Sequence, residues 1–352
     1  MKYPEIASFT DVLSRLAEFD AIIDVRSPSE FAEDHIPGAI NCPVLDDQQR
    51  ILVGTMYKQV NAFEAKKVGA ALVAKNIALH IEQHFLDKPR EWKPLIYCWR
   101  GGNRSGSMAH ILAKIGWPVV QLDGGYKSYR QHVNASLPEI APKIRWQVVC
   151  GTTGSGKSRL LQTLAQLGAQ VLDLEQLAAH RGSVLGHLPS QPQPSQKMFE
   201  SSIWEVLSKA DLTQTVYVES ESKKVGNLRV PESIIDSMRA APCIDLEMSL
   251  ELRVALLMED YAHFVRSPDH LNRQLDCLVS LHGKDKIQEW KQLASQGQMP
   301  DLVTQLLAQH YDPAYLRSID KNFTQMPHAR KVIQPGISPE SFISTAKLLL
   351  AD

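Results

Sequence analysis

The sequence is poor in the features that would tie it to a secreted, metal-stapled or membrane protein. Its 352 residues hold only five cysteines, Cys42, Cys98, Cys150, Cys243 and Cys277, odd in number, scattered and never in a C-x-x-C pair. Neither a disulfide framework nor a zinc site is indicated. Twelve histidines include no H-E-x-x-H or similar ligand spacing, so no metal cage is expected. No run approaches the ~18 consecutive apolar residues of a membrane span. The opening MKYPEIASFTDVLSRL has early acids and no apolar core before a cleavage site, so no secretory leader is expected. Formal net charge is −1, which offers no global positive field for nucleic acid, although a local basic patch can hide in a neutral total. No internal repeat is visible. These absences point to the reducing cytoplasm.

What is present is an ordinary globular composition, 44% hydrophobic and 22% charged, at a length that suits two domains. Short apolar runs at Ala21–Val25, Pro94–Cys98 and Pro118–Leu122 read as buried parallel strands, with helical patterns at 64–85 and 105–114 between them. The two prolines of 137–142 suggest a linker, placed at 138–143 between domains 1–137 and 144–352. A fresh strand opens at Ile144–Cys150, and further strands are expected at 171–174, 215–218 and 331–333. Residues 188–195 form a Pro/Gln-rich loop, 250–310 is mostly helical, and a closing helix spans 339–351. Alternating strands and helices imply an α/β fold of two parallel-sheet domains.

Two loops carry chemistry. The first, Cys98-Trp-Arg100-Gly101-Gly102-Asn-Arg104-Ser105, joins a strand to a helix, where open parallel sheets place active sites. Its glycines let successive N–H groups turn inward as an anion nest, and Arg100, Arg104 and the helix dipole add positive charge. Such surroundings favour thiolate over thiol and make Cys98 the candidate nucleophile, able to hold a sulfur or selenium anion beside a phosphate. The other four cysteines read as structural.

The second loop, Gly151-Thr152-Thr153-Gly154-Ser155-Gly156-Lys157-Ser158, matches G-x-x-x-x-G-K-[ST] in full, after a strand and opening a helix. Its amides cradle phosphates, Lys157 reaches the terminal ones and Ser158 can ligate Mg²⁺. Glu219, Glu221 and Asp173 compete for the carboxylate position near that metal, and Arg181 and Arg253 are candidate phosphate clamps.

The stretch Ile23–Cys42 (IDVRSPSEFAEDHIPGAINC) and the closing VQLDGGY of 120–126 resemble the rhodanese family, in which the cysteine at the position of Cys98 accepts a chalcogen. Asp24, Arg26 and His35 match family positions, and a framework role suits them. Five residues separate Cys98 from Arg104, where the usual sulfurtransferase loop has four. That spacing is also the one of cysteine phosphatases, so a phosphatase fused to a P-loop kinase-like domain is carried as an alternative. Tyr97 stands where such phosphatases have histidine, which counts against it.

The two loops together, with VGTMYKQ at 53–59, HRGSVLG at 180–186 and VESES at 218–222, resemble the tRNA 2-selenouridine synthase family over nearly the whole chain. The resemblance implies a rhodanese-like domain fused to a P-loop NTPase-like three-layer domain with a helical extension. It implies replacement of the sulfur of wobble 2-thiouridine in tRNA by selenium from selenophosphate. An S-geranyl intermediate made from geranyl diphosphate is implied too, with a selenophosphate-supplying enzyme as a partner. Selenophosphate and geranyl diphosphate would be substrates, no cofactor would be tightly bound, and the membrane would play no part. A nucleotide-dependent tRNA sulfurtransferase and a non-enzymatic persulfide carrier are the remaining alternatives.

Overall fold

In the computed structural model, residues 3–183, 186, 191–262, 264 and 268–351 are described. The chain divides into two compact bodies, one of Met1–Ser136 with Ser195–Glu205, the other of Leu137–Pro194 with Val206–Asp352.

The first body is built on a five-stranded parallel sheet of β1 (Glu5–Ala7), β2 (Ala21–Asp24), β3 (Ala39–Asn41), β4 (Pro94–Tyr97) and β5 (Val120–Leu122), in the order β1-β5-β4-β2-β3. Its helices are α1 (Phe9–Ser14), α2 (Pro28–Glu33), α3 (Asp47–Gln59), α4 (Ala62–His80), α5 (Asn103–Ile115) and α6 (Gly125–Ile140). All four β4 residues are buried, as a central parallel strand covered on both faces requires. The core joins Ile23 and Ile96 of the sheet to Met108 and Leu112 of α5, with Phe85 and Trp92 at 5.0 Å between ring centres.

The residues expected to form a linker, 138–143, are instead the end of α6 and a 3₁₀ turn, Ala141–Lys143. Pro138 lies inside the helix because the apolar stripe Tyr129, Val133, Leu137 and Ala141 continues across it, and all four are buried. Burial along that face outweighs the hydrogen bond that proline removes.

The second body has the sheet order β12-β11-β6-β8-β7, all parallel, from β6 (Arg145–Cys150), β7 (Gln170–Leu172), β8 (Thr215–Glu219), β11 (Cys243–Glu247) and β12 (Arg330–Ile333). A two-stranded antiparallel ribbon, β9 (Lys224–Val225) and β10 (Leu228–Arg229), stands apart from it. Helix α7 (Lys157–Gln166) and the closing helix Pro339–Leu350 pack together on the sheet through Leu160, Leu164, Phe342 and Ala346. Then come α8 (Leu174–Ala178), α9 (Gln196–Ser208), α10 (Glu232–Ala240) and α11 (Leu250–Asp260). The helical extension that follows has its own core around Trp290, Leu302 and Leu306. In the Pro/Gln-rich stretch, 188–190 lie outside the described residues and 191–195 have no regular structure. Among the described residues no helix is long and apolar enough to cross a membrane.

Residues 195–205 leave the sequence of the second body to join the first. There Ser201 donates to Asp34 Oδ2 at 3.1 Å, Lys197 pairs with Glu33 at 2.6 Å, and Trp204 meets Tyr129 edge-on at 5.6 Å.

Candidate active site

Cys98 follows β4 directly and is 3% exposed. Its sulfur accepts a hydrogen bond from Ser105 Oγ at 3.2 Å, and Ser105, one turn into α5, is fully buried. Gln121 of β5 fixes the other side of the loop, donating from Nε2 to Gly101 O at 2.6 Å and to Ser105 Oγ at 3.2 Å. The loop therefore stands on one side chain from the neighbouring strand β5 and one from helix α5.

Gly101 has φ +65°, and a Cβ there would lie 2.6 Å from Leu122 O, so only glycine lets the loop close on β5. Gly102 is the N-cap of α5, and a side chain there would meet open space. Among the described residues the amides of Trp99, Arg100, Gly101 and Gly102 find no acceptor, as an anion cradle requires.

The two arginines of the loop differ. Arg104 is held by Glu30, with contacts of 2.6 and 3.2 Å, and that pairing offsets the burial that would raise the Glu30 pKa, leaving it lowered. Arg100 is exposed and pairs with no described residue. Arg26 and Asp24 form a buried ion pair at 2.6 Å, 1% and 0% exposed, with the guanidinium 4.0 Å from the Tyr126 ring centre. His35 stacks on Phe31 at 3.8 Å. These three contacts are framework ones. Burial pushes the Cys42 thiol up to about 11, and a hydrogen bond to Cys243, with burial added, raises Cys150 as well. A thiol so placed is inert at neutral pH.

The phosphate-type loop runs from β6 into α7. Gly151 has φ +150°, and a Cβ would approach Leu246 O to 2.6 Å, so the first position of the motif is closed to other residues. The Gly151 amide donates to Tyr315 Oη at 2.6 Å. Lys157 Nζ donates to Gly151 O at 2.7 Å and lies 5.5 Å from the Tyr315 ring centre. Ser155 N bonds Thr152 O at 3.1 Å, and Gly154 packs on Leu257. Gly156 is the left-handed N-cap of α7. Ser155 Oγ is buried without a partner.

Arg253 turns out to be a strut. Its Nε donates to Thr153 O at 2.8 Å, and its other nitrogens grip Asp312 at 3.0 and 2.6 Å. Arg181 donates to Asp260 O at 2.8 Å and faces the Tyr261 ring at 4.8 Å, at the wall of the cavity in front of the loop.

Three acids compete in the sequence, and the structure sorts them and adds a fourth. Asp173 caps α8, accepting from Gln176 N at 2.8 Å. Glu175, which the sequence reading passed over, instead joins Glu219 and Glu221 in a cluster whose oxygens lie within 4.8 Å of one another. Ser158 Oγ donates to Glu175 at 2.9 Å and to Glu219 at 3.4 Å. Burial raises all three carboxyls, Glu221 to about 8, and repulsion from Glu175 adds to it at Glu219 and Glu221. Oxygen donors crowded beside a P-loop serine fit a hard divalent cation such as Mg²⁺. The signal for Glu175 is its place three residues beyond a strand end, in the first turn of a capped helix.

This acid cluster opens on a cavity with about 2070 Å³ of empty space, part of it open to solvent. A second, apolar pocket of about 590 Å³ shares Thr153, Ser183, Leu257, Tyr261 and Tyr311 with that cavity. It continues to Met299, Leu302 and Leu306.

A thiol in an amide-lined loop on one parallel sheet, and a phosphate loop with a carboxylate cluster on another, define a rhodanese-like module fused to a P-loop module. Residues 8–132 match the family model of the rhodanese-like domain, and residues 144–276 match that of the tRNA 2-selenouridine synthase AAA domain. The chain belongs to the tRNA 2-selenouridine synthases. It is 36% identical to the tRNA 2-selenouridine synthase of Nitrosomonas europaea, over 74% of this chain and 68% of that one. To that of Sulfurovum sp. it is 30% identical, over 92% and 95% of the two chains. To that of Shewanella denitrificans it is 33% identical, over 88% and 91%.

Proposed function

We propose that the protein replaces the sulfur of wobble 2-thiouridine in tRNA by selenium in two steps, and that geranyl diphosphate is the ligand of the P-loop. The observation that carries the second point is the apolar pocket beside Thr153 and Leu257. A nucleotide base would need polar partners there, whereas the walls at Met299, Leu302 and Leu306 suit an isoprenyl chain whose diphosphate lies on Gly151–Ser158.

In the first step the thiouridine sulfur attacks C1 of the geranyl group and pyrophosphate leaves. The loop amides and Lys157 stabilise the charge gathering on the leaving group. Ser158, Glu175, Glu219 and Glu221 would hold Mg²⁺, which supplies charge neutralisation for a diphosphate. In the second step selenium from selenophosphate bonds to C2 of the base, geranylthiol departs, and water takes the phosphoryl group as phosphate. Cys98 serves this step. Arg100 and the loop amides hold the phosphate, and Arg104, fixed by Glu30, borders it. A tRNA substrate puts the reaction in the cytoplasm, with a selenophosphate-supplying enzyme as the expected partner.

The test incubates the protein with thiouridine-containing tRNA and geranyl diphosphate, with and without selenophosphate, and analyses the nucleosides by mass spectrometry. Geranylated nucleoside without selenophosphate and selenouridine with it are expected. Unchanged thiouridine in both, with nucleotide turnover at Lys157, would replace this reading by a nucleotide-dependent sulfurtransferase.

A further inference from the structure

The α3–α4 hairpin of the first body presents an apolar face that its own fold leaves uncovered. No α3 residue is fully buried, and Ile51, Leu52, Tyr57, Val60 and Phe63 are 50–70% exposed. Five large apolar residues exposed within the stretch 51–63 mark a segment that something else covers. Across α3 and α4 the hairpin holds five lysines and arginines, Arg50, Lys58, Lys66, Lys67 and Lys75, against two acids, Asp47 and Glu64, in a chain whose net charge is −1. Lys67 pairs with Glu64 at 2.7 Å and lies 5.2 Å from the Phe63 ring centre. Lys58, Lys66 and Lys75 are exposed and pair with no described residue.

We propose that this hairpin is a docking surface for tRNA, with Tyr57 and Phe63 as stacking platforms for unpaired bases and the lysines on the phosphates. The composition selects this occupant. Protein interfaces are depleted of lysine at their core, whereas aromatic rings interleaved with cations are what single-stranded RNA engages. The location agrees. Arg50 Nε lies 3.8 Å from Glu30 Oε2, the same oxygen that holds Arg104 at 2.6 Å. The first turn of α3 is also tied to α2 through Asp47 and Ser29 at 2.6 Å. The first turn of the hairpin thus stands beside Glu30 and Arg104, next to the helix that opens behind Cys98. This proposal rests on the reading of tRNA as substrate.

The experiment measures binding of the full chain to a thiouridine-containing tRNA by fluorescence anisotropy across a salt series. For Lys58→Glu/Lys66→Glu/Lys75→Glu, affinity at physiological salt is expected to fall at least tenfold. The slope of log affinity against log salt should flatten by roughly 2–3, as for three lost phosphate contacts. Tyr57→Ala/Phe63→Ala should weaken binding about fivefold or more and leave the salt slope unchanged. Thermal melting of each variant at the wild-type temperature shows that the fold is intact. Wild-type affinity and slope in the charge-reversed variant would overturn the proposal. So would a wild-type dimer that dissociates on Ile51→Ser/Leu52→Ser, which would give the face to a second copy. Failure of the wild-type chain itself to bind tRNA would instead remove the substrate reading, and the docking surface with it.

Discussion

Ser158 Oγ donates to Glu175 Oε2 at 2.9 Å, which ties the hydroxyl of the P-loop to a carboxylate that its motif does not contain. The bond brings a third carboxyl to Glu219 and Glu221 at the start of the helix that the loop opens.

That cluster makes stability depend on pH and on a cation. Burial and repulsion raise these carboxyls above their usual 4.5, Glu221 to about 8. An acid whose folded pKa is raised stabilises the fold below the unfolded value, and the contribution is lost as pH rises through the folded one. Without a divalent cation the melting temperature should therefore fall from about pH 5 through pH 8. Millimolar Mg²⁺ should restore several degrees at pH 8.5 and little at pH 6, and Glu175→Gln should diminish the gain. A Mg²⁺ shift that is equal at both pH values in wild type and variant would place the ion elsewhere.

Ser105 supports the sulfur of Cys98 and nothing in the second body. A hydrogen bond contributes about 0.5–1.5 kcal/mol, so Ser105→Ala should slow selenouridine formation about two- to tenfold. Geranylation should continue at the wild-type rate. Cys98→Ser should abolish the selenium step with the same sparing of geranylation. Equal loss of both steps would show that the two loops do not divide the reaction as proposed.

Leu302 lines the apolar pocket and is fully buried. Leu302→Trp overpacks it, a change that costs about 1–3 kcal/mol. The KM for geranyl diphosphate should rise at least tenfold while inhibition by inorganic pyrophosphate stays unchanged, since the phosphates keep their loop. Parallel weakening of both ligands would assign the pocket to the core alone.

The Asp24–Arg26 pair is a framework element, and its loss should be felt in folding. Asp24→Ala strands a buried guanidinium, at a cost of about 3–5 kcal/mol. Denaturant unfolding should show a midpoint lowered accordingly. A loss under 1 kcal/mol would mean that the Asp34 carbonyl, 2.6 Å away, and the Tyr126 ring, 4.0 Å away, hold the cation without Asp24.

Both reactive loops were legible in the sequence because their chemistry is local. A glycine at a positive φ, a strand before it and a helix after it can be read from adjacent residues, as at Gly101 and Gly151. Asp173 and Glu175 show where local reading ends. Both stand beyond the same strand, but the cap takes Asp173, and only the turn of α8 brings Glu175 to Ser158. Proline signals were equally local, and the buried stripe through Leu137 overrode the one at Pro138.

The sequence by itself determined that the chain carries two parallel-sheet domains, a Cys98 loop and a phosphate loop, because each is written in a continuous run of residues. Only the tertiary structure decided which acids gather at Ser158, that Arg253 braces Thr153 while Arg104 is held by Glu30, and that residues 195–205 join the first body. These depend on contacts between residues from 17 to 167 positions apart, such as Ser158 with Glu175 and Ser201 with Asp34. Burial sets such partners, and burial is fixed only when the elements pack.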